Sequence, residues 1–221
     1  MFFQNSFLHT RRARGWRPPL GLSLMVLIAA SGISLAQSPV GVARVEEDWE
    51  LVVSAPDIND NSPQITCVIS PSVLSNGYAA LDMNFYSQPD YSPGGIQLHV
   101  WSPSTPMLVT NSSVNGMLQN QNETVTWTTR MSLWNNQLTF SVVNGQSTSW
   151  GNFGVKGKLN LSVGANLTDL SAYDPSVSLK NSGVPYASNR VTSLTLKAVR
   201  WYSASGVLLQ QNTTPQAVTL D

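Results

Sequence analysis

The sequence predicts an all-β protein, an antiparallel β-sandwich or jelly roll. Apolar and polar residues alternate with a period of two in several segments, which is the pattern of half-buried strands. Short turns rich in Asn, Gly and Ser separate these segments. Amphipathic helical periodicity is not found, so we expect no helices. The alternating segments and the turns between them indicate about ten short strands.

The alternation is clearest in residues 124–134, where every second side chain is apolar or small and shares one face: Val125, Trp127, Thr129, Met131 and Leu133. The pattern continues through Leu138, Phe140 and Val142. It recurs in 96–101, 159–163 and 191–196. These segments are predicted strands that turn one face toward a core.

Three dipeptides mark predicted turns between strands. Asn144-Gly145 separates 138–143 from 146–150 and is the pair that type I′ hairpins favour, because both central residues need positive φ. Asn115-Gly116 and Ser205-Gly206 indicate further turns.

Residues 1–36 predict a cleavable secretory signal peptide. A basic segment with Arg11, Arg12, Arg14 and Arg17 precedes an apolar run. The run ends in Ser34-Leu35-Ala36, with small residues at the two positions that a signal peptidase reads. The alternative is a membrane anchor, although a run of about 17 residues is at the lower limit for a span. We therefore expect a secreted or extracytoplasmic protein, in a periplasm or at a cell surface, with no membrane insertion after cleavage.

The remaining chain divides into an N-terminal strand with an acidic, turn-rich linker at 37–63 and a single sandwich domain at 64–221. Glu46, Glu47, Asp48 and Glu50 are predicted to form a solvated acidic edge. Without the leader, eight basic and twelve acidic residues give a net charge of −4. No basic patch is visible in the sequence, so nucleic acid and anionic membrane are not expected as partners. The lone Cys67 is predicted to be a buried hydrophobe.

The stretch 134–145, Trp-Asn-Asn-Gln-Leu-Thr-Phe-Ser-Val-Val-Asn-Gly, resembles the middle of concanavalin A-like and laminin-G-like sandwiches. In those proteins an aromatic residue precedes a turn, a strand and an Asn-Gly hairpin. The resemblance implies a sandwich of that kind. Such folds include lectins, glycosidases, lyases and adhesion modules, so the fold alone does not select a function.

A second string, residues 57–63, resembles the calcium-binding linker of cadherin repeats. The resemblance implies calcium ligands at Asp57, Asn59, Asp60 and Asn61. Carboxylate and amide oxygens are the hard ligands that calcium takes. The alternative is a turn-rich linker, because Asn, Asp and Pro are turn formers in any case.

Aromatic residues near turns are the candidate ligand-binding residues. Trp134 adjoins a turn, Trp150 precedes Gly151-Asn152, and Tyr91 lies in a Pro- and Gly-rich loop. An exposed aromatic ring can stack on the C–H face of a sugar, whereas a buried ring fills a core. Trp127 shares the apolar face of its strand and is predicted to be buried.

The sequence argues against most catalytic sites. The string Glu-x-Asp-x-x-Glu, which presents the paired acids of glycosidases of this sandwich class, does not occur. His99 is the only histidine after the leader, and no Gly-x-Ser-x-Gly elbow accompanies it. We therefore expect a non-catalytic binding or surface module for a glycan or cell-surface polysaccharide. A polysaccharide-active enzyme, glycosidase or lyase, and a calcium-dependent adhesion module are the alternatives. The binding module is expected to need no cofactor, whereas the adhesion module would bind calcium.

Overall fold

The alternating segments form antiparallel strands in the computed structural model, and the predicted all-β sandwich of two sheets is confirmed. The structure describes residues 40–54, 63–83, 95–103, 105–112, 116, 118, 120, 122–154 and 158–220. These residues belong to one compact unit that covers 38–221.

The larger sheet contains eight strands: β1 (Arg44–Val53), β6 (Thr124–Trp134), β7 (Gln137–Ser147), β8 (Gly151–Phe153), β9 (Asn160–Gly164), β11 (Val191–Tyr202), β12 (Leu208–Asn212) and β13 (Gln216–Ala217). Its order is β12–β11–β1–β6–β7–β8, with β13 beside β11 and β9 beside β7. The smaller sheet contains five: β2 (Gln64–Ile69), β3 (Tyr78–Met83), β4 (Ile96–Ser102), β5 (Thr105–Asn111) and β10 (Gly183–Tyr186). Its order is β10–β2–β3–β4–β5.

The core lies between the two sheets and is built from the predicted alternation. Val125, Trp127 and Met131 of β6 are fully buried, as the period of two requires. Trp127 stacks on Trp49 of the neighbouring β1, with ring centroids 6.3 Å apart. Cys67 is buried as predicted, and burial raises the pKa of its thiol well above the ordinary value.

The N-terminal strand predicted within 37–63 is β1, and it belongs to the larger sheet of the sandwich. The sequence places 37–63 outside the sandwich domain at 64–221, whereas β1 pairs along its whole length with β11 and nearly so with β6. Strand order in a sheet does not follow chain order, and the N-terminal strand completes the centre of the larger sheet.

The hairpin predicted at Asn144-Gly145 is wrong, because β7 continues through both residues. Asn144 has φ 55° and forms a bulge at which the register with β6 shifts. The tight hairpin lies one strand earlier, at Asn135 and Asn136, whose φ values of 48° and 57° suit a two-residue type I′ turn. The predicted turn at Ser205-Gly206 is confirmed, since Gly206 N–H donates to Ser203 O between β11 and β12. Asn115 lies outside the described residues.

Gly145 allows the ring of Phe153 to pack directly against the backbone of β7. A Cβ there would lie 2.3 Å from the ring of Phe153. We expect Gly145→Ala to destabilise the protein by roughly 1–3 kcal/mol in urea unfolding, because the ring must move. Gly164→Ala is the matched control, since a Cβ at that strand position meets nothing within 4 Å. Equal unfolding midpoints for the two variants would contradict this packing argument.

The prediction of no helices is also wrong. A short helix, α1 (Pro175–Asn181), follows β9, and 3₁₀ turns lie at Leu74–Asn76 and Ser188–Arg190. Asp174 caps α1 by accepting from Ser176 N–H at 2.8 Å, and Pro175 occupies the first turn. Two turns of helix are too short to show a period in the sequence, but the Asp-Pro start was a readable signal. Within the described part of the chain, no helix is long and apolar enough to cross a membrane.

Candidate functional site

The outer face of the larger sheet, the side turned away from the smaller sheet, carries a row of charged residues on β1. Alternation points Arg44, Glu46, Asp48 and Glu50 outward, while the residues between them face the core. The prediction of a solvated acidic edge is wrong for this row. Its acids are paired with basic residues from the two neighbouring strands, and Glu46 is only 6% exposed.

Glu46 lies at the centre of three arginines. Arg130 Nε of β6 donates to its Oε1 at 2.8 Å, and Arg200 Nη2 of β11 lies 3.5 Å from its Oε2. Arg44 Nε lies 3.4 Å from Oε1, and Tyr202 O–H donates to Oε2 at 3.2 Å. Both carboxylate oxygens are therefore occupied, and the guanidinium groups cover the acid from solvent.

Two further ion pairs extend the row. Asp48 accepts from Arg200 Nη2 at 2.7 Å and from Thr128 Oγ1 at 2.7 Å. Its hydrogen bonds raise the pKa of Arg200 above the ordinary value, so that the guanidinium stays charged. Lys197 Nζ donates to Glu50 Oε1 at 2.9 Å.

Arg44, Arg130, Lys197 and Arg200 are four of the eight basic residues beyond the leader, and all lie on this one face. They are far apart in the chain and meet only through the pairing of β1 with β6 and β11. The sequence therefore showed no basic cluster. The signal that could have found the row is the alternation of Glu46, Asp48 and Glu50 along a predicted strand, which places three carboxylates on one face.

Hydroxyl and amide side chains surround the charged row. On β6 the outward positions include Thr124, Thr126 and Ser132, and Thr139 of β7 lies opposite Ser132. Thr139 Oγ1 and Ser162 Oγ of β9 are 2.8 Å apart and share a hydrogen bond. The face thus offers many short polar groups on a rigid sheet, which is suitable for binding a polyhydroxylated ligand.

At one end of this face is a cleft of about 480 Å³, here called the tryptophan cleft. Trp134, the last residue of β6, is 67% exposed, as the sequence predicts. The amide side chains of the hairpin turn and one carboxylate line the same cleft: Asn135, Asn136 and Asp169. An exposed indole beside amide and carboxylate groups combines a stacking surface with hydrogen-bonding partners.

Backbone hydrogen bonds hold the tryptophan cleft together. Leu133 N–H donates to Ala43 O and Ala165 N–H to Asn136 O, both at 2.8 Å. Asp169 is fixed by the Ser171 N–H, which donates to its Oδ1 at 2.8 Å. Gly41 packs against the Asp169 side chain, where an added Cβ would lie 3.2 Å from it. The cleft is therefore preformed rather than built from a free loop.

At the other end of β6 is a second cleft of about 530 Å³, here called the threonine cleft. It is lined by polar residues of β6, β7 and β8 and their turn: Thr124, Thr126, Gln146, Ser147, Thr148, Gly151 and Asn152. Glu123 organises this turn by accepting from Ser149 N–H at 2.8 Å and from the Ser147 and Ser149 hydroxyls. These hydrogen bonds outweigh burial and lower the pKa of Glu123 below its ordinary value.

Trp150 is not an exposed binding residue, and that expectation is wrong. It is 6% exposed, its ring packs edge-on against Phe153, and its indole N–H donates to Gly116 O at 2.8 Å. Proximity to a turn suggested exposure, but the turn folds back over the core.

A carboxylate of β1 lies inside the sandwich. Glu47 is fully buried and accepts from Ser178 Oγ at 2.5 Å, from Tyr173 O–H and from Trp49 Nε1 at 2.9 Å. Burial raises its pKa to about 7, although these hydrogen bonds act in the opposite direction. Glu47 joins β1 to α1 and cannot reach a ligand on the outer face.

His99 lies on the smaller sheet, as a strand residue, between Asp82 and Gln97. Its Nδ1 is 3.8 Å from Asp82 Oδ2, and its Nε2 contacts Gln97 Oε1. Asp82 also accepts from Thr66 Oγ1 at 2.5 Å. Burial lowers the pKa of His99 and raises that of Asp82.

A third cleft, of about 710 Å³, is separate from the outer face of the larger sheet. It lies between α1, β10 and the chain near Val218, and Tyr186 is its exposed aromatic residue. This cleft provides an internal comparison for the tryptophan cleft, because each contains one exposed aromatic side chain.

The remaining predicted site residues lie outside the described residues. They are the candidate ligand-binding residue Tyr91 and the four candidate calcium ligands Asp57, Asn59, Asp60 and Asn61. Among residues that the structure does describe, no group of three or more His, Cys, Asp or Glu could hold a metal ion.

Comparison with known proteins adds no assignment. No protein-family model matches the chain, and no curated protein matches its sequence. The function is therefore argued from the site itself.

Proposed function

We propose that the protein is an exported, non-catalytic module that binds carbohydrate at the outer face of the larger sheet. The observation that carries this proposal is the tryptophan cleft, where Trp134 is 67% exposed beside Asn135, Asn136 and Asp169. Export is supported by the signal-like leader at 1–36.

The exposed indole of Trp134 on a preformed site favours a sugar as the ligand. Exposing a tryptophan ring to water is unfavourable unless a partner covers it, and a sugar ring can do so with its C–H face. Amide and carboxylate groups at the edge of the ring can then pair with sugar hydroxyls. Because the backbone of the cleft is already hydrogen-bonded, little conformational entropy is lost on binding.

The variant Trp134→Ala tests the site. We expect it to weaken the binding of a carbohydrate ligand at least about tenfold, or roughly 1.4 kcal/mol, in titration calorimetry. Stability should change little, since the side chain is exposed. The matched control is Tyr186→Ala in the third cleft, which should bind like the unmodified protein. Loss of binding in Tyr186→Ala but not in Trp134→Ala would contradict the proposed site.

A polysaccharide-active enzyme is the second candidate, and the row Glu46, Asp48 and Glu50 is the observation that favours it. Neighbouring outward residues on a strand are about 7 Å apart, within the range of glycosidase acid pairs. Against it, each of these acids is bound to a basic side chain: Glu46 to Arg130, Asp48 to Arg200 and Glu50 to Lys197. New reducing ends released from a bound polysaccharide, and lost in Glu46→Gln, would replace the binding proposal with this one.

A further inference from the structure

The outward side of β6 connects the two clefts of the larger sheet. Thr126 lines the threonine cleft and Trp134 the tryptophan cleft, and both are outward positions of the same strand. Eight residues of extended chain separate them, which corresponds to roughly 26 Å. Between them lie the outward positions of Thr128, Arg130 and Ser132. Thr128 is buried and donates to the partly exposed Asp48 of β1, so Asp48, Arg130 and Ser132 provide the polar surface between the clefts.

A ligand that occupies both clefts must therefore be extended. A monosaccharide or disaccharide is too short to reach both clefts, whereas a longer oligosaccharide can span the distance of roughly 26 Å. Both clefts are open to solvent, so a ligand chain can continue beyond each of them. This geometry suits an internal segment of a long chain better than a terminal sugar.

The charges of the face compensate one another. Four basic residues, Arg44, Arg130, Lys197 and Arg200, accompany four acids, Glu46, Asp48, Glu50 and Asp169. Glu123, which organises the turn of the threonine cleft, is a fifth acid. All four basic residues are in ion pairs, and Arg44, which pairs with Glu46, also lies over the Tyr202 ring at 4.0 Å. A surface without an excess of positive charge gives no electrostatic preference for an anionic ligand.

We propose that the ligand is an unbranched, uncharged polysaccharide that lies along β6 and is bound through an internal run of sugar units. This inference rests on the proposed function and adds the class of ligand and the second binding cleft. The threonine cleft then contributes hydrogen bonds from Gln146 and Asn152, and the tryptophan cleft contributes stacking.

The test uses neutral linear oligosaccharides of cellulose, mannan, xylan and β-1,3-glucan, from disaccharide to octasaccharide, titrated into the purified protein. For the series that binds, affinity should rise about tenfold or more between trisaccharide and hexasaccharide and then level off. Gln146→Ala should reduce hexasaccharide affinity severalfold and leave trisaccharide affinity unchanged. The control Gln210→Ala, an exposed amide on β12, should change neither. High salt should leave the affinities unchanged.

Equal affinity for trisaccharide and hexasaccharide would overturn this inference while leaving carbohydrate binding intact. An unchanged hexasaccharide affinity in Gln146→Ala would also overturn it. Salt-sensitive binding with a preference for oligomers of uronic acids would do the same. By contrast, the absence of binding at every length and in every series, or intact binding in Trp134→Ala, would overturn the proposed function itself.

Discussion

The stability of the protein should fall as pH rises from 4.5 to about 7, because the buried Glu47 keeps its proton in the folded state over this range. The unfolded chain releases that proton near the ordinary pKa of 4.5, whereas burial raises the folded value to about 7. The folded state therefore binds more protons, and increasing pH favours unfolding. The loss of unfolding free energy is roughly 3 kcal/mol.

The variant Glu47→Gln isolates this effect. A glutamine amide can accept from Trp49 Nε1 and donate to the hydroxyl oxygens of Tyr173 and Ser178, so the hydrogen bonds are retained without a charge. We expect the variant to match the unmodified protein at acidic pH and to be more stable by roughly 3 kcal/mol above neutral pH. Urea unfolding across the pH range measures both curves.

The difference between the two curves is the informative quantity, because other groups also titrate. Burial raises the pKa of Asp82, whereas hydrogen bonds lower those of Glu123 and Asp174. These contributions are common to both proteins and cancel in the difference. The control Glu50→Gln, on the outer face, should not reproduce the divergence. Parallel curves for Glu47→Gln and the unmodified protein would show that Glu47 is ionised in the core.

Removing the charge at Glu46 should destabilise the protein. In Glu46→Gln the three guanidinium groups of Arg44, Arg130 and Arg200 would remain close together without the acid that joins them. We expect a loss of roughly 2–3 kcal/mol, since Glu46 is nearly buried although its partners are partly exposed. Added salt should reduce this loss by screening the repulsion among the arginines.

The matched control for that variant is Glu50→Gln at neutral pH. Glu50 has one partner, Lys197, whose side chain is 43% exposed, so the expected loss is below about 1 kcal/mol. Urea unfolding at low and high salt measures the loss of unfolding free energy in both variants. A loss in Glu46→Gln no larger than in Glu50→Gln would mean that the row of charges adds nothing beyond ordinary surface pairs.

The strands could be predicted because burial imposes a local pattern. Residues 124–134 alternate from the first position to the last, and β6 has those bounds. The alternation assigned Trp127 to the core and left Trp134 outside it, and both assignments are confirmed. Local sequence was sufficient because each side chain's direction depends only on its place in the strand.

The errors arise where the outcome depends on residues distant in the chain. Asn144-Gly145 has the composition of a hairpin, but Phe153 packs on Gly145 and β7 continues as a bulged strand. Trp150 adjoins a turn, yet its indole bonds to Gly116 O in another segment. Turn propensity is local, and tertiary packing overrides it.

The charged residues show the same limit. Glu46 and Glu47 are adjacent in sequence and were predicted to be solvated together. The structure places one among arginines on the outer face and the other in the core against α1. Apart from Arg44 and Trp49 on β1 itself, their partners are more than eighty positions away in the chain, so neither environment was visible in the sequence.

Carbohydrate binding at the tryptophan cleft is tested by a glycan array that includes neutral linear polysaccharides. We predict that the purified protein is retained on at least one class of neutral, unbranched glycan and that Trp134→Ala is not. Retention of neither protein on any glycan would contradict carbohydrate binding, and equal retention of both would contradict binding at Trp134.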